Sequence, residues 1–245
     1  MSSPWYATWF NTPHYHDLYQ HRDLSEARDF IVELCRELGV VKGQKALDIA
    51  CGRGRHALVL SEQGLDTIGI DLSAESIEYA RQFEHEHLSF QIGNMLEPLQ
   101  VHPAHWVFNL FTSFGYFESD EDHALAIQHM ANALLPGGKL VLDYMNSAKI
   151  AASLVPTETV RTELAEYHIT RKLEHETIVK TIRFDDQCSI QYFEERVRAF
   201  SAEALQNFMI RAGLDVQSIH GDYDLSPYDA TFSDRLLIIA QKPEV

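Results

Sequence analysis

The chain has 245 residues, a length that fits one domain with room for an inserted subdomain, and its 45% hydrophobic content supports a full core. A formal net charge of -16 speaks against nucleic acid as a partner, because binding phosphates takes a basic surface. Three scattered cysteines with no CxxC pair, no basic-then-apolar leader and no apolar run near the ~20 residues of a bilayer span lead to the expectation of a cytoplasmic protein without disulfides or membrane contact.

Residues 1–40 read as an arm followed by a helix. Between positions 5 and 22 stand Trp5, Tyr6, Trp9, Phe10, His14, Tyr15, His16, Tyr19 and His21, while Pro4 and Pro13 oppose one continuous helix. Such an arm either staples onto the core or acts as a lid that turns its rings toward a flat or cationic ligand. A helix over 24–38 follows, with Ala27, Phe30, Ile31, Leu34 and Leu38 at helical spacing and Gly39 as its stop.

Residues 41–150 alternate. Short apolar strands are expected at 45–50, 66–70, 88–92 and 105–110, with helices at 54–64, 73–85 and 120–135; Ser73 and Asp120 stand at cap positions. Leu135-Pro136-Gly137-Gly138 reads as a helix stop and turn before a strand at 139–144. Repeated βα units of this kind give a parallel sheet with helices on both faces. Over residues 151–200 the period falls to two, which predicts an antiparallel β insertion of about three strands with a turn at Asp185-Asp186-Gln187. Residues 201–245 then supply a helix capped by Ser201 and two closing strands at 214–220 and 235–241.

The most informative stretch is Ala46-Leu47-Asp48-Ile49-Ala50-Cys51-Gly52-Arg53-Gly54-Arg55-His56, followed by Thr67-Ile68-Gly69-Ile70-Asp71. A buried strand runs into a glycine turn and a helix, and a second strand ends on an acid. That is the outline of a βαβ unit that holds an adenosine by its ribose. Gly52-Arg53-Gly54-Arg55-His56-Ala57 also satisfies the GxGxxA dinucleotide pattern, so a NAD-dependent oxidoreductase stays as an alternative, although Asp48 would set negative charge beside a pyrophosphate.

Four ordered motifs, Leu47 to Gly54, Gly69-Ile70-Asp71-Leu72-Ser73, Gly93-Asn94-Met95 and Leu134-Leu135-Pro136-Gly137-Gly138-Lys139, make the chain resemble the class I S-adenosylmethionine-dependent methyltransferases. The arm and β insertion look most like the small-molecule type, including the aminosugar N-methyltransferases. The resemblance implies a Rossmann-like methyltransferase fold: a mostly parallel seven-stranded sheet, helices on both faces, and a small antiparallel β insertion. It implies S-adenosyl-L-methionine as cofactor and a small-molecule N or O acceptor, with a slight preference for N. A non-catalytic S-adenosyl-binding regulatory module is the second alternative, and the chain is expected as a monomer or homodimer.

In that frame Gly52 and Gly54, with Ala50 and Cys51 between strand and turn, let the backbone pass close to the methionyl part. Asp48 would meet the cofactor's ammonium through water, and Asp71 would accept both ribose hydroxyls. By resemblance Asn94 and Met95 flank the adenine and Arg22 reaches the cofactor carboxylate from the arm, with Leu72 and Tyr15 also in the cofactor-binding set; Leu110 and Phe111, at the carboxyl end of the fourth strand, are expected beside the sulfonium. Ala50, where many members carry glycine, is expected at an ordinary negative φ. Candidate bases for the acceptor are His123, Tyr144, His220 and Tyr223. No HExxH or comparable spacing occurs, so no metal is expected, and His85-Glu86-His87 reads as a polar turn.

Overall fold

The structure, a computed structural model, describes residues 4–20, 24–186 and 189–244. Its helices are α1 (Trp5–Trp9), α2 (Pro13–Leu18), α3 (Leu24–Leu38), α4 (Arg55–Glu62), α5 (Ala74–Ala80), α6 (Asp120–Asn132), α7 (Ser147–Ala152) and α8 (Ala202–Arg211). Its strands are β1 (Lys45–Ile49), β2 (Asp66–Asp71), β3 (Leu88–Ile92), β4 (Ala104–Asn109), β5 (Leu134–Met145), β6 (Thr157–Arg161), β7 (Glu166–Glu174), β8 (Thr177–Asp186), β9 (Ser189–Arg198), β10 (Asp215–His220) and β11 (Arg235–Gln241).

A seven-stranded sheet runs in the order β10-β11-β5-β4-β1-β2-β3. β3, β2, β1, β4 and β5 pair in parallel, whereas β11 lies antiparallel to β5 and β10 antiparallel to β11. The parallel strands need cover on both faces, and the helices supply it. Phe30, Ile31 and Leu34 of α3 pack with Val59 and Leu60 of α4 on one side; Ile127 and Met130 of α6 pack with Leu205, Phe208 and Met209 of α8 on the other. The strand order reverses at β1, which has β2 on one flank and β4 on the other, and opens a crevice at the carboxyl ends of these strands. No helix among the described residues is long and apolar enough to cross a membrane.

The insertion forms a second, antiparallel sheet of four strands in the order β6-β7-β8-β9, one more than the alternation predicts. The extra strand is β6, whose sequence Thr-Glu-Thr-Val-Arg offers a single apolar residue, as an edge strand with one solvated side allows. Tyr167, Ile169, Ile182 and Phe184 of this sheet bury against Trp9 and Leu18 of the arm, which folds as two short helices with Pro13 opening the second. Of the turn expected after β8, Gln187 lies outside the described residues.

Caps explain most helix starts. Ser73 and Ser201 accept the backbone N–H three residues on, whereas Ser119, rather than Asp120, caps α6. The predicted turn at 135–138 is instead the start of β5. Leu134 pairs with Ala104, and Gly137 N–H bonds Lys242 O while Lys242 N–H bonds Gly138 O, so the closing segment clamps the motif into the sheet.

Candidate functional site

A cavity of about 560 Å³ fills the crevice. The loop after β1 lines it from Ile49 to Arg53, the end of β2 through Asp71, Leu72 and Ser73, and the segment after β3 through Gly93, Asn94 and Met95. The segment after β4 adds Leu110, Phe111, Ser113, Tyr116 and Phe117, and the arm closes the far side with Tyr6, Phe10, Asn11, Tyr15, His16 and Tyr19. The arm therefore both packs on the second sheet and lines the cavity.

The loop after β1 takes its shape from three left-handed residues, Ala50 (φ 61), Gly52 (φ 56) and Gly54 (φ 84). Ala50 thus departs from the negative φ expected of an alanine. A Cβ in this region costs about 1–2 kcal/mol, and the Cys51 N–H to Ile70 O bond (3.1 Å) helps to hold the turn against it. Gly52 lines the cavity, and a Cβ there would meet no protein atom within 4 Å. At Gly54 a Cβ would run into the Phe90 ring.

Asp71 closes β2 with both oxygens engaged: Oδ2 accepts Gly52 N–H (2.8 Å) and Oδ1 accepts Ser73 N–H (2.8 Å). Each oxygen keeps a further lone pair, so two vicinal hydroxyls fit against it. Burial raises its pKa, while the N–H groups of Ser73, Gly52 and Leu72 pull the other way. Asp48 lies below the loop, 1% exposed and off the cavity lining, with Oδ2 unpartnered. Burial first, and then repulsion from Asp71, push its pKa up to about 7.

Of the residues expected around the cofactor, Tyr15, Ala50, Cys51, Gly52, Asp71, Leu72, Asn94, Met95, Leu110 and Phe111 line the cavity. Asp48 and Gly54 flank the lining stretch, and Arg22 lies outside the described residues. Asn94 spends its amide oxygen on Leu96 N–H (3.0 Å), a local turn that leaves the second lone pair of that oxygen.

The four candidate bases need correction, because none of them lines the cavity. His123 is fully buried among Phe114, Phe117, Phe200 and Phe208, donates from Nδ1 to Ser119 O (2.7 Å), and is held neutral chiefly by burial. The Tyr144 hydroxyl donates to Arg198 O beneath Gly115, and burial raises its pKa out of any useful range. His220 bonds Leu225 O (2.7 Å) and Ser218 Oγ (2.8 Å). Tyr223 stacks on Phe30, with centroids 3.9 Å apart, and reaches Asp143 instead.

Sequence reasoning missed Asn11, which accepts the Ser73 hydroxyl and ties the arm to the end of β2. It missed His16 as a lining residue too. Burial and Arg53 lower its pKa to about 4, so the imidazole is neutral at physiological pH. The only available signal was the density of aromatic and histidine residues in the arm.

Residues 41–213, well over half of the chain, match the family described as a methyltransferase domain. The chain belongs to that family. Among curated proteins it is 27% identical over 132 residues to dTDP-3-amino-3,4,6-trideoxy-alpha-D-glucopyranose N,N-dimethyltransferase of Streptomyces venezuelae, covering 52% of this chain and 55% of that protein. It is 29% identical over 107 residues to the ubiquinone biosynthesis O-methyltransferase of Idiomarina loihiensis, covering 42% and 43%. The chain thus spans about half the length of the curated relatives it matches. A solved S-adenosylmethionine-dependent methyltransferase from Clostridium acetobutylicum shares the fold with a TM-score of 0.79 at 20% identity, over 94% of this chain and 97% of that one.

The residues of this methyltransferase-family chain suit S-adenosylmethionine. The Asp71 carboxylate matches a ribose diol, the Cβ-free patch at Gly52 gives passage to a methionyl chain, and Leu72 and Met95 offer apolar flanks to a flat base. The rings of Tyr6, Phe10, Phe111 and Tyr116 suit a sulfonium cation. Among the described residues no group of three or more His, Cys, Asp or Glu side chains is placed to hold a metal ion.

Proposed function

We propose that the protein is an S-adenosylmethionine-dependent methyltransferase acting on a small-molecule acceptor, with an amine nitrogen preferred over oxygen. The observation that carries this reading is one continuous cavity that joins the Asp71 carboxylate and the glycine loop at one end to the aromatic arm at the other. One end suits the cofactor, and the other leaves space for a second molecule. The N,N-dimethyltransferase relative supports a nitrogen acceptor, and the O-methyltransferase relative keeps oxygen as the lesser choice.

The bound cofactor supplies an electrophilic methyl group on a sulfonium. Asp71 would fix the ribose, and the anionic form of Asp48 would favour the ammonium end. Leu110 and Phe111 set the wall along which an in-line approach is aligned. The arm covers the cavity and keeps water from it. An amine that arrives with its lone pair free needs no proton removed before attack, and its proton leaves afterwards to solvent. That agrees with the described lining, whose imidazoles are His16 and His56, both held neutral chiefly by burial.

In this reading the arm, residues 4–20, serves as the lid, α3 with residues 41–150 and 201–244 forms the cofactor-binding core, and residues 151–200 form the support on which the arm rests. Buried, unbridged Cys35 and Cys51 are compatible with a reducing cytoplasm. The acidic surface disfavours nucleic acid as acceptor.

Calorimetric titration with S-adenosylhomocysteine tests the reading, with NAD as control and an Asp71→Ala variant alongside. Micromolar binding of the first ligand alone is expected. Two lost hydrogen bonds to a charged acceptor, each worth roughly 1.5–3 kcal/mol, weaken it at least ~100-fold in the variant. Binding of NAD instead, or an Asp71 variant that binds normally, overturns the assignment.

A further inference from the structure

Phe111 (φ 61) and Thr112 (φ 59) are two consecutive side-chain-bearing residues in the left-handed region, and the second is β-branched. A single residue of this kind is uncommon, and a β-branched one is an outlier that its surroundings have to enforce. The pair sits directly after β4, where Leu110 and Phe111 line the cavity, and Ser113 and Tyr116 line it just beyond.

The enforcement comes from buried Asp143 and partly buried Arg235 on neighbouring strands. Asp143 of β5, fully buried, accepts Phe111 N–H at Oδ2 (2.8 Å), and its own carbonyl accepts Thr112 N–H (3.0 Å). Arg235 of β11 meets Asp143 Oδ1 from Nε (2.8 Å) and Nη2 (2.6 Å), and Nη2 also donates to Thr112 Oγ1 (3.1 Å). β5 and β11 are antiparallel with Leu237 opposite Asp143 and Arg235 opposite Met145, so the two charges face each other across a diagonal of the ladder. The Arg235 guanidinium stands 5.5 Å from the centre of the Phe111 ring, and that of Arg55 stands 4.5 Å from it. The ring is fixed along with the backbone. Buried ion pairs contribute little net stability, so the consequence of this one lies in the conformation it imposes.

We propose that Asp143 and Arg235 are positioning residues for methyl transfer: they hold Phe111–Thr112 in the left-handed form and so set the wall beside the sulfur of the cofactor. The inference rests on the reading of the cavity as an S-adenosylmethionine site and names a pair of residues that touch neither cofactor nor acceptor. Neutralising Asp143 releases the turn, displaces Phe111 and weakens ligands that carry the sulfur and methionyl part, while adenosine alone, held by Asp71, is unaffected.

The test is calorimetric titration of wild type, Asp143→Asn, Arg235→Lys and Asp143→Asn/Thr112→Gly with S-adenosylhomocysteine and, separately, with adenosine. Asp143→Asn is expected to bind S-adenosylhomocysteine ~10-fold or more weakly and adenosine within ~3-fold of wild type. Arg235→Lys keeps a cation for Asp143 but loses the fork to Thr112, so it shows the same ligand-selective pattern with a smaller loss. It also serves if Asp143→Asn does not fold. Glycine adopts a positive φ without the Cβ penalty, so Thr112→Gly restores most of the lost affinity in the Asp143→Asn background. Equal losses for both ligands, or no recovery with glycine, overturn the positioning role. Wild type that fails to bind S-adenosylhomocysteine refutes the cofactor reading itself, whereas wild type that binds and variants that match it refute this inference alone.

Discussion

Replacing Asp48 by asparagine changes the pH dependence of stability in a direction the structure fixes. The carboxyl is 1% exposed, has one oxygen unpartnered, and titrates near 7 against an ordinary value of 3.8. A folded-state pKa above the unfolded one means that the native state holds the proton more tightly. The associated stability is complete below about pH 4, falls through the window from 4 to 7, and is gone above 7. With ~1.4 kcal/mol per pH unit inside that window, the wild type loses about 3 kcal/mol from this group between pH 5 and pH 8. Asparagine keeps the shape and has nothing to titrate. Urea unfolding of both proteins at pH 5, 6, 7 and 8 therefore shows the stability of Asp48→Asn gaining on wild type by about 3 kcal/mol across the series, or a relative shift of roughly 6–12 °C in melting temperature for a chain of this size. If the cofactor's ammonium lies near this carboxyl as proposed, saturating S-adenosylhomocysteine is expected to shrink that gain. Parallel pH profiles for the two proteins refute the reasoning, because they mean that Asp48 is already ionised, and solvated, in the folded state.

Two further substitutions probe how the arm and the wall after β4 are held. Glu195, nearly buried, accepts the indole N–H of Trp9 (2.7 Å) and the hydroxyl of Tyr19 (2.8 Å), with the Lys180 ammonium 3.6 Å away. Glu195→Gln loses charge-assisted bonds worth roughly 1.5–3 kcal/mol, so proteolysis within the arm accelerates ~10-fold or more while the core strands keep their hydrogen-exchange protection. Unchanged cleavage would show that the apolar cluster under the arm suffices. Gly115→Ala places a Cβ at φ +93 against the Tyr144 hydroxyl and costs about 2–4 kcal/mol in denaturant unfolding. Adding Tyr144→Phe removes the obstructing oxygen and returns part of that loss; strictly additive losses would place the cost elsewhere.

Where a residue's partners are close in the sequence, its place in the site is legible there; where they are distant, it is not. Asp71 is bonded by Gly52 and Ser73, members of the same βαβ unit, and spacing and residue type alone point to it. The strands at the carboxyl edge follow from apolar runs, since a strand covered on both faces must be apolar whatever covers it. His123, in the first turn of α6, and Tyr144, near the end of β5, stand at positions that look catalytic in one dimension. What disarms them is Phe200, Phe208 and Arg198, from segments more than fifty residues downstream. The left-handed Ala50 runs against residue preference, and the Asp143–Arg235 bridge depends on the register of an antiparallel pair that no local pattern specifies.

The arm meets two neighbours at once. Trp9 and Leu18 face the second sheet, while Tyr6 and Asn11 face the cavity, and Phe10, Tyr15 and Tyr19 touch both. Two short helices broken before Pro13 allow this, because each turns its own stripe of side chains to a different neighbour. The β insertion then has a definite consequence for the proposed chemistry. Its apolar face and Glu195 anchor the arm, so displacing the arm from the cavity would break contacts with β7, β8 and β9 as well as with any ligand inside. If the proposed acceptor enters from the arm side, a destabilising change deep in the second sheet is expected to alter access to the cavity without touching a lining residue.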